Sequence, residues 1–151
     1  MADLSSAPIP GPRPDDHVRG APERAVIMYG DFTCPRCAVE ALRLRDERAD
    51  VIFRHFALRS RHPRAVAVAQ AAEAAARQGA FWEFHDSLFE DQGRLDDPHL
   101  WARCERLGLD VERFEADRRA PAIAERVRRD VQDALRGGLT TTPALIHPSV
   151  D

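Results

Sequence analysis

The sequence predicts an α/β fold in which a strand–helix–strand unit leads into a long helical region and one late strand. Three observations predict it. Two short runs rich in strand-forming residues, Ala25-Val26-Ile27-Met28-Tyr29 and Val51-Ile52-Phe53-Arg54-His55-Phe56, flank a segment with helical apolar spacing. From Pro63 to about Arg136 the pattern stays helical. Ala144-Leu145-Ile146, after Pro143, then reads as a brief third strand.

The 151 residues suit one domain. Residues 1–19 carry Pro8, Pro10, Pro12 and Pro14 with Gly11 and polar neighbours, and are expected to form a flexible tail outside the core. The domain then covers residues 20–151, with a helical insertion at about 63–136. Gly30 ends the first strand, and Cys34-Pro35 opens a helix running through Ala38 to Leu44. Pro35 falls in the first turn, where the N–H it lacks would have no helical partner. Further helices are expected over Ala65–Arg77 (stopped by Gly79), around Phe81–Phe89, from Asp97-Pro98 to Leu107 (stopped by Gly108), over Val111–Arg118, and over Pro121–Leu135 before Gly137-Gly138. There is no internal repeat.

The charge balance, 22 basic against 25 acidic residues, supplies no broad cationic field for nucleic acid or anionic lipid. Every basic residue is arginine, with no lysine or asparagine, which points to a GC-rich bacterial genome and not to a function. The opening segment has no apolar run of signal-peptide or membrane-spanning length, so a cytoplasmic location is expected. Three cysteines, Cys34, Cys37 and Cys104, argue against a structural disulfide framework in such a chain.

The spacing Cys34-Pro35-Arg36-Cys37 at a strand–helix junction carries the chemistry. Unpaired N–H groups and the positive helix end favour the thiolate of a cysteine placed there, and the thiolate is the nucleophile of disulfide exchange. Arg36 adds positive charge within the loop. Cys34 is therefore the expected attacking sulfur, and Cys37, one turn on and facing inward, the resolving one. A CxxC also begins many zinc sites, but no second CxxC or HxxxH follows, and histidines 17, 55, 62, 85, 99 and 147 are scattered singly. Cys104 on an apolar helical face reads as a packed core thiol, and Phe81, Trp82 and Phe84 read as core.

With these residues in view the chain resembles the DsbA-like branch of the thioredoxin superfamily, and within it the bacterial group also found fused to sodium/proton antiporters. The resemblance runs from about Asp16 to Ile146. It rests on Asp16-His17-Val18-Arg19-Gly20, Tyr29-Gly30-Asp31-Phe32-Thr33-Cys34-Pro35-Arg36-Cys37, Phe53-Arg54-His55-Phe56, Phe81-Trp82-Glu83-Phe84-His85-Asp86, Leu107 to Phe114, and Gly138-Leu139-Thr140-Thr141-Thr142-Pro143. It implies a thioredoxin-like fold with an inserted helical subdomain capping the active site. It also implies a cis Thr142-Pro143 bond beside the CxxC, in a loop that pairs with extended substrate peptides. The implied activity is thiol–disulfide exchange with protein or peptide substrates, without metal or organic cofactor. A redox partner would recycle the cysteines, and neither nucleic acid nor membrane takes part.

Two departures stand out. Thioredoxins proper carry a buried carboxylate six positions before the first cysteine, where this chain has Met28; Asp31 is a partial substitute or an exposed turn residue. Family members also continue past the proline strand with another strand and a helix, whereas this sequence stops at Val150-Asp151. The expected consequence is an open sheet edge and a face without its covering helix, to be met by a second copy of the chain, another partner, or a wrapped N-terminal segment. Two other readings stand beside the enzyme: a degenerate peptide-binding module using Pro143 without turnover, and a zinc-binding domain using Cys34 and Cys37.

Overall fold

The computed structural model describes residues 7–148. Its elements, in chain order, are β1 (His17–Arg19), β2 (Val26–Gly30), α1 (Pro35–Asp46), β3 (Val51–His55), α2 (Ala65–Ala76), α3 (Phe81–Glu90), α4 (Asp97–Arg106), α5 (Val111–Asp117), α6 (Pro121–Arg136) and β4 (Ala144–Ile146). The sheet order is β1-β3-β2-β4. β2 and β3 are parallel and joined through α1, whereas β1 on β3 and β4 on β2 are antiparallel. This is the thioredoxin-like α/β arrangement that the motifs imply.

Both parallel strands are buried along their whole length, which explains why each reads as a near-continuous apolar run. Their side chains still alternate between two faces. Val26, Met28, Val51 and Phe53 join the larger core with Cys37, Ala41 and Leu44 of α1 and Phe81, Phe84 and Leu88 of α3. Ile27, Tyr29 and Ile52 join a smaller cluster on the opposite face, with Ala134 of α6 and Ile9. The larger core is rich in aromatic contacts: Phe32 lies 5.1 Å from Phe53 and 4.9 Å from Phe89, centroid to centroid. Phe81 and Phe84 are buried as expected, and the Trp82 indole N–H donates to the Val18 carbonyl at 3.0 Å. Cys104 is a fully buried core thiol, pushed up to about 11 chiefly by loss of hydration.

The structure corrects the expectation of a tail through Arg19; residues 1–6 of that tail lie outside the described region. From Ala7 onward the chain is packed. Ala7 N–H donates to the Arg136 carbonyl, Ile9 enters the smaller cluster, and residues 17–19 form a strand. The reason is Arg54, whose side chain is 1% exposed. Its five N–H groups meet five acceptors: both Asp16 carboxylate oxygens, the carbonyls of Pro10 and Gly11, and the Tyr29 hydroxyl. A buried guanidinium is tolerated only when so satisfied, and the N-terminal segment supplies four of these bonds.

Among the described residues β1 and β4 form the two edges of the sheet, with β4 beside the proline loop. The face beside β4 is covered partly by α6 and partly by residues 9–12, leaving a groove of about 590 Å³ next to Ile27 and Ile146. Val150 and Asp151, on which the expectation of a shortened C-terminus rests, lie outside the described residues. None of the described helices is long and apolar enough to cross a membrane.

Candidate active site

The cysteine loop sits where β2 ends. A Cβ on Gly30 would stand 2.9 Å from the Phe53 ring, so the chain passes closely over the core before it turns. Asp31 then shapes the turn: its Oδ1 accepts from the Thr33 N–H at 2.8 Å and the Thr33 hydroxyl at 2.7 Å. Asp31 is buried, not exposed, and this carboxylate oxygen is occupied by the turn. Met28, at the position of the absent relay carboxylate, is fully buried core.

Cys34 is the N-cap of α1, with extended backbone, and Pro35 follows at the first helical position. Cys34 Sγ accepts the Cys37 N–H at 3.3 Å, an otherwise orphaned helix-start donor. The Thr142 hydroxyl donates to the same sulfur at 3.5 Å, and the Thr142 carbonyl lies 3.9 Å from it. Thr142 arrives there because β4 runs antiparallel to β2, pairing Ala144 with Tyr29. The Thr142-Pro143 bond is cis. The structure thus gathers Cys34, Cys37 and Thr142, with Pro143 next in the chain. Pro35 and Arg36 lie on the exposed side of the loop.

The two sulfurs have unlike surroundings. Cys34 is partly exposed, whereas Cys37 is 0% exposed. Burial, followed by the hydrogen bond with Cys34, pushes the Cys37 thiol up to about 12. Gln92, just beyond α3, fixes the loop from the helical region: its side-chain amide donates to the Phe32 carbonyl at 2.8 Å and the Cys34 carbonyl at 2.9 Å. Nothing in the sequence marks this residue, because its partners lie about 60 positions earlier. Sequence reading also missed that the histidines are not all single. His17 and His55 both face Glu73, and these three form the one cluster of potential metal ligands among the described residues. Cys34 and Cys37 are outside it.

A sulfur pair at a strand–helix junction, faced by an X-Pro loop on the adjoining strand, defines the thioredoxin-like class. The chain belongs to the DSBA-like thioredoxin domain family, whose profile matches residues 54–148, beginning after the cysteines. A thioredoxin-like oxidoreductase from Silicibacter pomeroyi superposes with a TM-score of 0.75 at 26% identity, covering 89% of this chain and 80% of that one. BdbD from Bacillus subtilis superposes with a TM-score of 0.76 over 97% of this chain and 88% of its own; at 18% identity this shows the fold alone. A protein named Na(+)/H(+) antiporter NhaA 1 from Salinispora arenicola is 43% identical over 138 residues, 85% of this chain and 21% of that protein. The chain therefore spans about a fifth of the length of that relative.

Proposed function

We propose that this chain is an enzyme that exchanges disulfides with protein or peptide thiols, with Cys34 as the attacking sulfur and Cys37 as the resolving one. The observation that carries this reading is the contrast between the two: an accessible sulfur held by a helix-start N–H and the Thr142 hydroxyl, one turn ahead of a fully buried thiol. Only Cys34 is open to a substrate sulfur. In the reducing direction the Cys34 thiolate attacks a substrate disulfide, forming a mixed disulfide and releasing one substrate thiolate. Cys37 then loses its proton and attacks Cys34 Sγ, so the second substrate sulfur leaves and a Cys34–Cys37 disulfide remains. In the oxidising direction a substrate thiolate attacks Cys34 of that disulfide, and Cys37 leaves and takes up a proton. A second substrate thiolate then displaces Cys34 and completes the substrate disulfide. The thiol redox couple that resets the pair sets the net direction.

The test is disulfide exchange with a reduced and with a scrambled protein substrate, together with the rate of Cys34 alkylation against pH. Cys34→Ser should abolish turnover, and Cys37→Ser should accumulate mixed disulfides that a reducing agent releases. Absence of turnover in the unaltered chain, or turnover surviving Cys34→Ser, would reject the proposal.

A further inference from the structure

We propose that His17, His55 and Glu73 form a binding site for a divalent transition-metal ion of the zinc class. The three residues come from β1, β3 and α2, so they converge only through the tertiary fold. Both imidazole Nε2 atoms lie 2.7 Å from the same carboxylate oxygen, Glu73 Oε2, and the three potential ligand atoms all fall within 4.8 Å of one another. Two imidazole nitrogens and a carboxylate oxygen are the donors that zinc takes in sites with an open fourth position. The rings are held in place: His17 stacks on Phe81 at 3.6 Å and 5°, and the His55 side chain is 1% exposed.

Access exists from one side. A cavity of about 320 Å³, lined by His17, Glu73, Arg77, Ile123 and Arg126, reaches two of the three ligands. Arg126 is the group that opposes a cation. Its Nε lies 3.1 Å from Glu73 Oε1, the oxygen that does not face the histidines. That nitrogen makes no hydrogen bond among the described residues, and the guanidinium is anchored elsewhere, on the Asp15 carbonyl at 2.6 Å. His55 Nδ1 lacks a partner among the described residues, so only the Nε2 contact with Glu73 sets its tautomer. Without metal, each ring donates its Nε2 proton to Glu73. On binding, that proton moves to Nδ1, Nε2 turns its lone pair to the ion, and the ion takes over the neutralisation of the carboxylate. A metal there would staple the helical region to the sheet.

The test uses the full chain carrying Cys34→Ser and Cys37→Ser, which removes thiolate ligands, after stripping with a chelator. Co²⁺ is titrated and then displaced with Zn²⁺. The expected result is one saturable site with visible ligand-field bands, no thiolate-to-cobalt charge-transfer band, and a rise in melting temperature on adding Zn²⁺. Loss of an outer-shell partner alone weakens metal sites about 10–100-fold, so Glu73→Gln and His17→Gln should weaken this one by roughly a hundredfold or more. Arg126→Gln, which leaves the three ligands in place, should tighten it. Absence of saturable binding at millimolar Co²⁺, binding seen in a parallel titration of the unaltered chain but not in the chain lacking Cys34 and Cys37, or equal affinity in Glu73→Gln and its parent would each overturn the proposal. Because Cys34 and Cys37 are replaced in the titrated chain, the result does not depend on whether the exchange reaction is found.

Discussion

On one face of the sheet, Met28 and Phe53 meet the side chains of α1 and α3 in a continuous aromatic and aliphatic core. On the other, Ile27, Tyr29 and Ile52 meet α6 only in part, and residues 7–16 add to the cover through Ile9 and the bonds to Arg54. The first face is stabilised by area removed from water. The second relies on a buried ion pair, Arg54 with Asp16, at 2.8 Å and 1% exposure on both sides. Apolar contacts degrade gradually when one is lost, whereas a buried charge left alone is penalised at once.

The largest effects follow from that difference. Asp16→Ala should destabilise by about 3–5 kcal/mol, because it strands the Arg54 guanidinium. Phe53→Ala should cost a similar amount, about 3–5 kcal/mol, by opening a cavity among Phe32, His85 and Phe89. What separates the faces is rescue. The pair Asp16→Leu with Arg54→Met should recover most of the loss of Asp16→Ala, since apolar replacement of a buried pair is often neutral or better. Denaturant unfolding of the three variants measures this. A double variant no more stable than Asp16→Ala would show that the bonds of Arg54 to Asp16 and to the Pro10 and Gly11 carbonyls, and not relief of an uncompensated charge, hold the segment.

Acid should distinguish the faces next. His85 packs in the aromatic core, and its burial, outweighing the Asp86 carboxylate beside it, pulls its pKa down to about 4. Between about 4 and the ordinary 6.5 the unfolded chain binds the proton and the folded one does not, so stability rises with pH across that window. This contribution is whole above about 6.5 and is lost as pH falls through 4. Asp16 behaves differently. Burial works against its ionisation, but the bonds from Arg54 and the Arg13 N–H prevail and hold it below the usual 3.8. Its contribution is therefore whole above 3.8 and is lost only as pH falls further. His85→Phe should flatten the stability profile between pH 6.5 and 4 and leave the steeper loss below 3.8 in place, as read from unfolding midpoints across pH. An unchanged slope between 6.5 and 4 would remove His85 as its source.

How far each region was legible in the sequence follows the same division. Val26–Tyr29 and Val51–His55 announce themselves because strands buried on both faces need apolar side chains throughout. Cys34-Pro35 marks a helix start because proline at that position loses nothing. The proline-rich segment hid its role. Half of its bonds to Arg54 come from the backbone carbonyls of Pro10 and Gly11, which any residue would present, and β1 is too short at three residues to show a period. In the candidate site the cysteines stood out by their local spacing, whereas Thr142-Pro143 was pointed to only by the family resemblance. Gln92 was not readable, and neither was the convergence of His17 and His55 on Glu73. Those contacts link residues 18 to 60 positions apart, and a single polar residue carries no sign of what it will face.

The smallest expected effect concerns the link between the helical region and the cysteine loop. Both side-chain N–H groups of Gln92 are taken up by the carbonyls of Phe32 and Cys34. Gln92→Ala removes two donors and leaves two carbonyls to water, which should cost about 1–2 kcal/mol. Gln92→Glu replaces the donating amide with a carboxylate and sets negative oxygen against those carbonyls, so it should cost more than the alanine. The Cys34 carbonyl is also the first acceptor of α1, taking the Ala38 N–H at 3.2 Å. Releasing Gln92 therefore loosens the helix start that positions the Cys34 sulfur. The expected signature is a fall in alkylation and exchange rate at Cys34 under conditions where both variants remain fully folded. If Gln92→Ala lowers the unfolding midpoint and leaves the reactivity of Cys34 unchanged, the amide serves stability alone and the cysteine loop holds its own shape.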